Sequence, residues 1–216
     1  MSEINLLVTT ANGNFLGQKE MIEKSAAKAQ EYAFSRLQID WDIDMLVTNR
    51  LYNILIPEDG VGGRTITSDF IEFAINEKKA TEGAVAEMMV HELCHAARWG
   101  KNDEWINCLF DGLISEGIAT CFEVEFVKDS EEKTFFIKTV LQRSDEENEE
   151  ILGKLRGELN SNEYDYNAIF YNGDENLPRW AGYSLGYYLV KKYLEKTGKT
   201  IEEAFADKYD EFRVVL

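Results

Sequence analysis

The sequence predicts an α+β protein with a small N-terminal sheet plus helices and a mostly helical C-terminal half. Three observations carry that expectation. Trp41 to Val47 (WDIDMLV) and Arg64 to Ile75 (RTITSDFIEFAI) alternate apolar and polar residues as strands do. Ahead of them, Phe15 to Leu37 repeats apolar residues at helical spacing through Met21, Ile22, Ala26, Ala29 and Ala33. From Thr81 onward the pattern is helical almost throughout.

In chain order, the first helix leads to the strand at Trp41 to Val47, then to a second short apolar run, Leu51 to Ile56, ended by Pro57. Glu58 to Gly63 (EDGVGG) reads as a turn, since glycine accepts backbone angles other residues avoid. Arg64 to Ile75 follows as a hairpin or edge strand. Thr81 suits the N-cap of the next helix, Glu82 its first turn, and Gly100 its end. A further helix from about Glu104 to Val127 is apolar nearly all round and is expected to be buried, with Gly112 and Gly117 permitting close approach of a neighbour. Helices are then expected over Glu131 to Arg143, Glu146 to Leu159, Trp180 to Thr197 and Ile201 to Phe212. The acidic run Asp145 to Glu150 reads as a solvated helix start, and Pro178 as a break before the Trp180 helix. We read residues 1–216 as one domain, with an N-terminal α+β lobe over about 1–100 and a helical lobe over about 101–216.

Composition narrows the function. With 23 basic and 40 acidic side chains the formal charge is −17, which repels phosphate backbones and anionic lipid and argues against nucleic-acid or membrane partners. The N-terminus lacks a basic start and a long apolar stretch, and no apolar run approaches the ~20 residues that span a bilayer. Cys94, Cys108 and Cys121 are odd in number and fall in helical segments. Reduced thiols and a cytoplasmic location are therefore expected rather than a disulfide framework.

The chemistry concentrates in Met89 to Arg98 (MVHELCHAAR), which holds both histidines of the chain. At ~100° per residue, His91 and His95 lie about 40° apart and one turn removed, which brings two imidazoles to one cation. Glu92 sits about 100° round from His91, within reach of a water on that cation and badly placed to be a ligand. This is the content of the His-Glu-x-x-His pattern: two zinc ligands and one general base. A catalytic zinc has three protein ligands as a rule, and no histidine remains, so the third is a carboxylate or a thiolate. Cys94 points away from Glu92 and reads as a packing residue. Glu116, an ionisable residue in an otherwise apolar helix, needs a cation if it is buried, and Gly117 beside it is expected to permit close packing on the His91 helix.

These residues resemble the gluzincin metallopeptidases, in which the His-Glu-x-x-His helix is followed about twenty residues later by a helix supplying a glutamate ligand. The stretch Ile114 to Glu123 (ISEGIATCFE) is similar to the glutamate-ligand helix of their aminopeptidase branch. Gly62 to Asn76, His91 to Glu123 and Pro178 to Leu194 together resemble a family of zinc-dependent proteases known only as a domain of unknown function. The resemblance implies a zincin-like fold, one Zn2+ per chain held by His91, His95 and Glu116, and hydrolysis of a peptide or protein substrate with Glu92 as base. Thermolysin-like members carry an aspartate four residues after the ligand glutamate, where this chain has Thr120. The residue that orients a histidine is then Glu123 or Asp111. Tyr183 and Tyr187, with Arg179 behind them, are candidate oxyanion donors, and the resemblance favours Tyr183. Substrate is expected to pair with the sheet edge formed by Arg64 to Ile75. The alternatives are a non-catalytic zinc-binding interaction module and a zinc hydrolase of non-peptide amides.

Overall fold

The computed structural model describes residues 2–15, 17–102, 105–130 and 132–216. Leu16 in the first expected helix, and Glu104 and Glu131 at the expected starts of two others, lie outside these. The chain divides into two compact units, one formed by residues 1–103 with 122–136 and the other by 104–121 with 137–216.

The first unit holds strand β1 (Ile4–Val8), helix α1 (Lys19–Leu37), strands β2 (Ile43–Thr48), β3 (Val61–Thr67) and β4 (Phe70–Ile75), and helix α2 (Glu82–Lys101). The strands form one sheet in the order β1-β2-β4-β3. β1, β2 and β4 run parallel, and only β3 is antiparallel, paired to β4 as a hairpin. Period-two burial explains the register: Ile43, Met45 and Val47 of β2 and Ile71 and Phe73 of β4 are fully buried, while Asp44 faces out. The expected hairpin over Arg64 to Ile75 is present, with one refinement. β4 lies inside the sheet and β3 alone is its edge on that side. Strand β1 escapes the sequence pattern because its five residues are too few to show clear alternation. The run Leu51 to Ile56 forms a short 3-10 turn at Tyr52–Ile54.

Helix α2 begins as expected. The Thr81 hydroxyl accepts from the Ala84 amide at 3.2 Å, and Glu82 lies in the first turn. Gly100 does not end it; the helix reaches Lys101. Instead the glycine makes room for an indole, since a Cβ there would lie 2.3 Å from the Trp41 ring.

Helix α3 (Leu109–Phe126) starts in the second unit and finishes in the first. The chain continues through α4 (Phe135–Gln142), α5 (Asp145–Leu155), α6 (Ala181–Thr197) and the single turn α7 (Ile201–Ala204). Ser144 and Glu147 close a capping box on α5, so the acidic run is a helix start. The expected helix over Ile201 to Phe212 is broken after Ala204 and resumes as a 3-10 stretch at Tyr209–Val215. Between the two stretches the Asp207 carboxylate accepts from the Tyr193 hydroxyl at 2.7 Å and from the Lys199 ammonium. A π-helical turn at Asn167–Asn172 adds to the expected elements. No described helix is long and apolar enough to cross a membrane.

Candidate metal centre

Two ring nitrogens converge on α2. The Nε2 atoms of His91 and His95 are 3.2 Å apart. Nitrogens bound at 2.0–2.1 Å to one tetrahedral zinc stand roughly 3.3 Å from each other, so the pair is spaced for a shared ion. Glu116 completes the set: one ligand atom from each of His91, His95 and Glu116 lies within 4.8 Å of the others. His91 is buried, while His95 and Glu116 are half-buried. Two neutral nitrogens and one carboxylate oxygen suit zinc, and the donor set fits that ion.

The other ring nitrogen of His91 has a partner of its own. Its Nδ1 lies 2.8 Å from Oε2 of Glu123, a residue with no exposed surface. With Nδ1–H donating to that carboxylate, the Nε2 lone pair is left for a metal. Of the two candidates for this role, Glu123 takes it, seven residues after Glu116 and on the same face of α3. Asp111 instead accepts from the Asn107 amide at 3.0 Å. The second carboxylate oxygen of Glu123, Oε1, is buried, and the Glu87 carboxyl acts on Glu123 from beside it.

Glu87 is missed by sequence reasoning, although it stands four residues before His91 on the same helical face. It is 1% exposed and accepts from the Thr134 hydroxyl and amide. Burial first, and the Glu123 charge second, push its carboxyl from an ordinary 4.5 up to about 8. Between those values the folded protein holds a proton the unfolded chain has released. Stability from Glu87 is complete below about pH 4.5 and is lost as pH rises through about 8. The steepest slope is about 1.4 kcal/mol per pH unit. Glu87→Gln, which cannot ionise, is therefore expected to flatten the fall in stability of metal-free protein between pH 5 and 8 in denaturant titrations.

Glu92 is 5% exposed and faces β3. Its side chain lies against Gly63, where a Cβ would come within 2.2 Å of its Cγ. Cys94 is buried, its thiol pushed up to about 12 by burial, in keeping with a packing role. Cys94, Cys108 and Cys121 form no disulfide with one another.

Gly117 corrects one expectation. Its bare face meets α6 rather than the His91 helix, with Gly186 O only 2.3 Å from a Cβ built there. On α6, the Tyr183 ring stands edge-on to Phe170 at 5.7 Å, and Arg179 covers the ring of Trp180 at 3.9 Å. Two further tyrosines lie in the field of Glu116. Burial, then neighbouring charges that include Glu116, raise the phenols of Tyr164 and Tyr166 above their ordinary value.

Two imidazoles one helical turn apart with a carboxylate within 4.8 Å are a donor set suited to zinc. The chain belongs to the family described as "Predicted Zn-dependent protease (DUF2268)", whose model matches residues 19–213. No curated protein and no solved structure matches it.

Proposed function

We propose that this chain is a zinc metallopeptidase in which His91, His95 and Glu116 hold one zinc ion and Glu92 is the general base. The observation that carries the reading is the 3.2 Å approach of two imidazole nitrogens beside a third ligand, with a buried carboxylate next in sequence. A bound zinc ion supplies Lewis acidity, which makes a water more acidic and polarises a carbonyl. Glu92 takes the proton from the attacking water as its oxygen bonds to the carbonyl carbon, and delivers it to the amine nitrogen as the C–N bond breaks. Glu123 holds His91 in one tautomer throughout. Tyr183 is our choice to donate a hydrogen bond to the oxyanion, with Tyr187 and Arg179 as alternatives. An extended peptide pairs with β3, the edge strand next to Glu92, beyond the Val61 end that Ile56 already bridges. Neutral or basic peptides suit the charge of −17.

Metal analysis and labelled casein test this. The purified protein is expected to carry about one zinc per chain and to lose casein cleavage on chelation, with recovery on zinc addition. Glu116→Ala is expected to weaken zinc binding by more than the ~10–100-fold that follows loss of an outer partner. Unchanged affinity in that variant would place the third ligand elsewhere. Zinc binding with cleavage of small amides but no peptide would move the activity to the non-peptide class. Zinc binding with no hydrolysis of either would leave an interaction module.

A further inference from the structure

We propose that Thr65, on the edge strand β3, is a positioning residue that turns Glu92 so that its Oε1 faces the reacting water. The inference deepens the metallopeptidase reading and rests on it. The Thr65 hydroxyl lies 2.8 Å from Oε2 of Glu92 and 3.0 Å from the main-chain oxygen of the same residue. A hydroxyl has one proton to give. The main-chain oxygen sits inside α2 and already accepts a helical N–H, whereas the carboxylate offers a charge-assisted and therefore stronger bond. The proton goes to Oε2.

Gly63 completes the seat. It stands two residues before Thr65, on the same face of β3, and a Cβ there would fall 2.5 Å from Oε1 and 2.2 Å from Cγ. One strand thus gives Glu92 a hollow at Gly63 and a donor at Thr65. With Oε2 engaged, Oε1 is the oxygen left to accept a proton. Glu92 is 5% exposed, so bulk water does not set its orientation. Nothing in the order of residues links Thr65 to Glu92, which follows it by 27 positions.

Thr65→Val keeps the shape and removes the donor, and Thr65→Ser restores it. The first measurement needs neither metal nor substrate. In metal-free protein, Thr65→Val is expected to lower Tm, and most of that drop is expected to vanish when Glu92 is also replaced by Leu. An equal drop in both backgrounds would mean the hydroxyl serves only the main chain, and would overturn the proposal. The second measurement uses zinc-loaded protein with labelled casein. Thr65→Val is expected to keep its zinc and its KM within about twofold while kcat falls roughly tenfold, a fraction of the 10²–10⁴ a general base supplies. Thr65→Ser should recover most of that loss. Wild-type kcat in Thr65→Val, or no recovery in Thr65→Ser, would overturn the proposal. Full turnover by Glu92→Gln would instead remove Glu92 as the base while leaving the Tm coupling intact, so the two failures are distinct.

Discussion

Glu92→Gln is expected to keep its zinc and to lose casein cleavage by about 10²–10⁴-fold, the range a general base contributes. The structure makes this a clean substitution. Glu92 is not one of the three residues whose ligand atoms converge, so metal content should not change. Glutamine has nearly the same shape and still presents an oxygen to the Thr65 hydroxyl, which lies 2.8 Å from the carboxylate. The fold around β3 and α2 is therefore preserved, and what disappears is the ability to take a proton from water. Paired metal analysis and initial rates check it. A variant that holds zinc and still cleaves at the wild-type rate would show that another group performs the proton transfer.

Gly117→Ala is expected to destabilise the protein by about 2–3 kcal/mol, against the ~1 kcal/mol that alanine otherwise gains over glycine inside a helix. The added carbon would sit 2.3 Å from the Gly186 carbonyl oxygen and 2.4 Å from its carbon. Both atoms belong to backbone, which has no rotamer to yield, so α3 and α6 must separate locally. The reciprocal contact is equally close, with Leu113 O at 2.2 Å from a Cβ on Gly186. Because Gly117 follows Glu116 directly, zinc affinity should fall along with stability. Gly153→Ala provides the control. That glycine lies in α5 with nothing within 4 Å of the point an added methyl would occupy, and alanine there should stabilise by about 0.5–1 kcal/mol. Chemical denaturation of the two variants beside the wild type measures both. Equal stability of Gly117→Ala and the wild type would mean the helices can part at no cost.

Much of the candidate site is legible in the linear order of residues, because the helix converts spacing into angle without help from the rest of the fold. His91 and His95 at four residues apart, with Glu92 between them, need only a helix, and Thr81 marks where that helix begins. Glu116 is reachable because a carboxylate in an apolar helix asks for a cation. Glu123 comes from the same periodicity, seven residues further along α3. Extending the four-residue spacing one step back from His91 is the signal that could have found Glu87. The fold is legible where patterns are long, as in α1, α2 and α6, and poorly legible where they are short or interrupted. β1 has five residues, and after Ala204 the helix gives way to a turn and then a 3-10 stretch.

Gly63 and Thr65 mark the limit of such reading. They look like ordinary hairpin residues, and their meaning comes from α2 lying across them. Gly117 is a place of close approach, as its residue type implies, but its partner is α6 and not the His91 helix, since a bare Cα permits contact without naming what arrives. The residue types and their local angles thus specified the candidate ligand pair, the proposed base and the neighbouring acid. Which carboxylate steadies His91, which strand seats Glu92 and which helix fills the gap at Gly117 were settled by packing between segments far apart in the chain, where shape and burial act and periodicity carries no information.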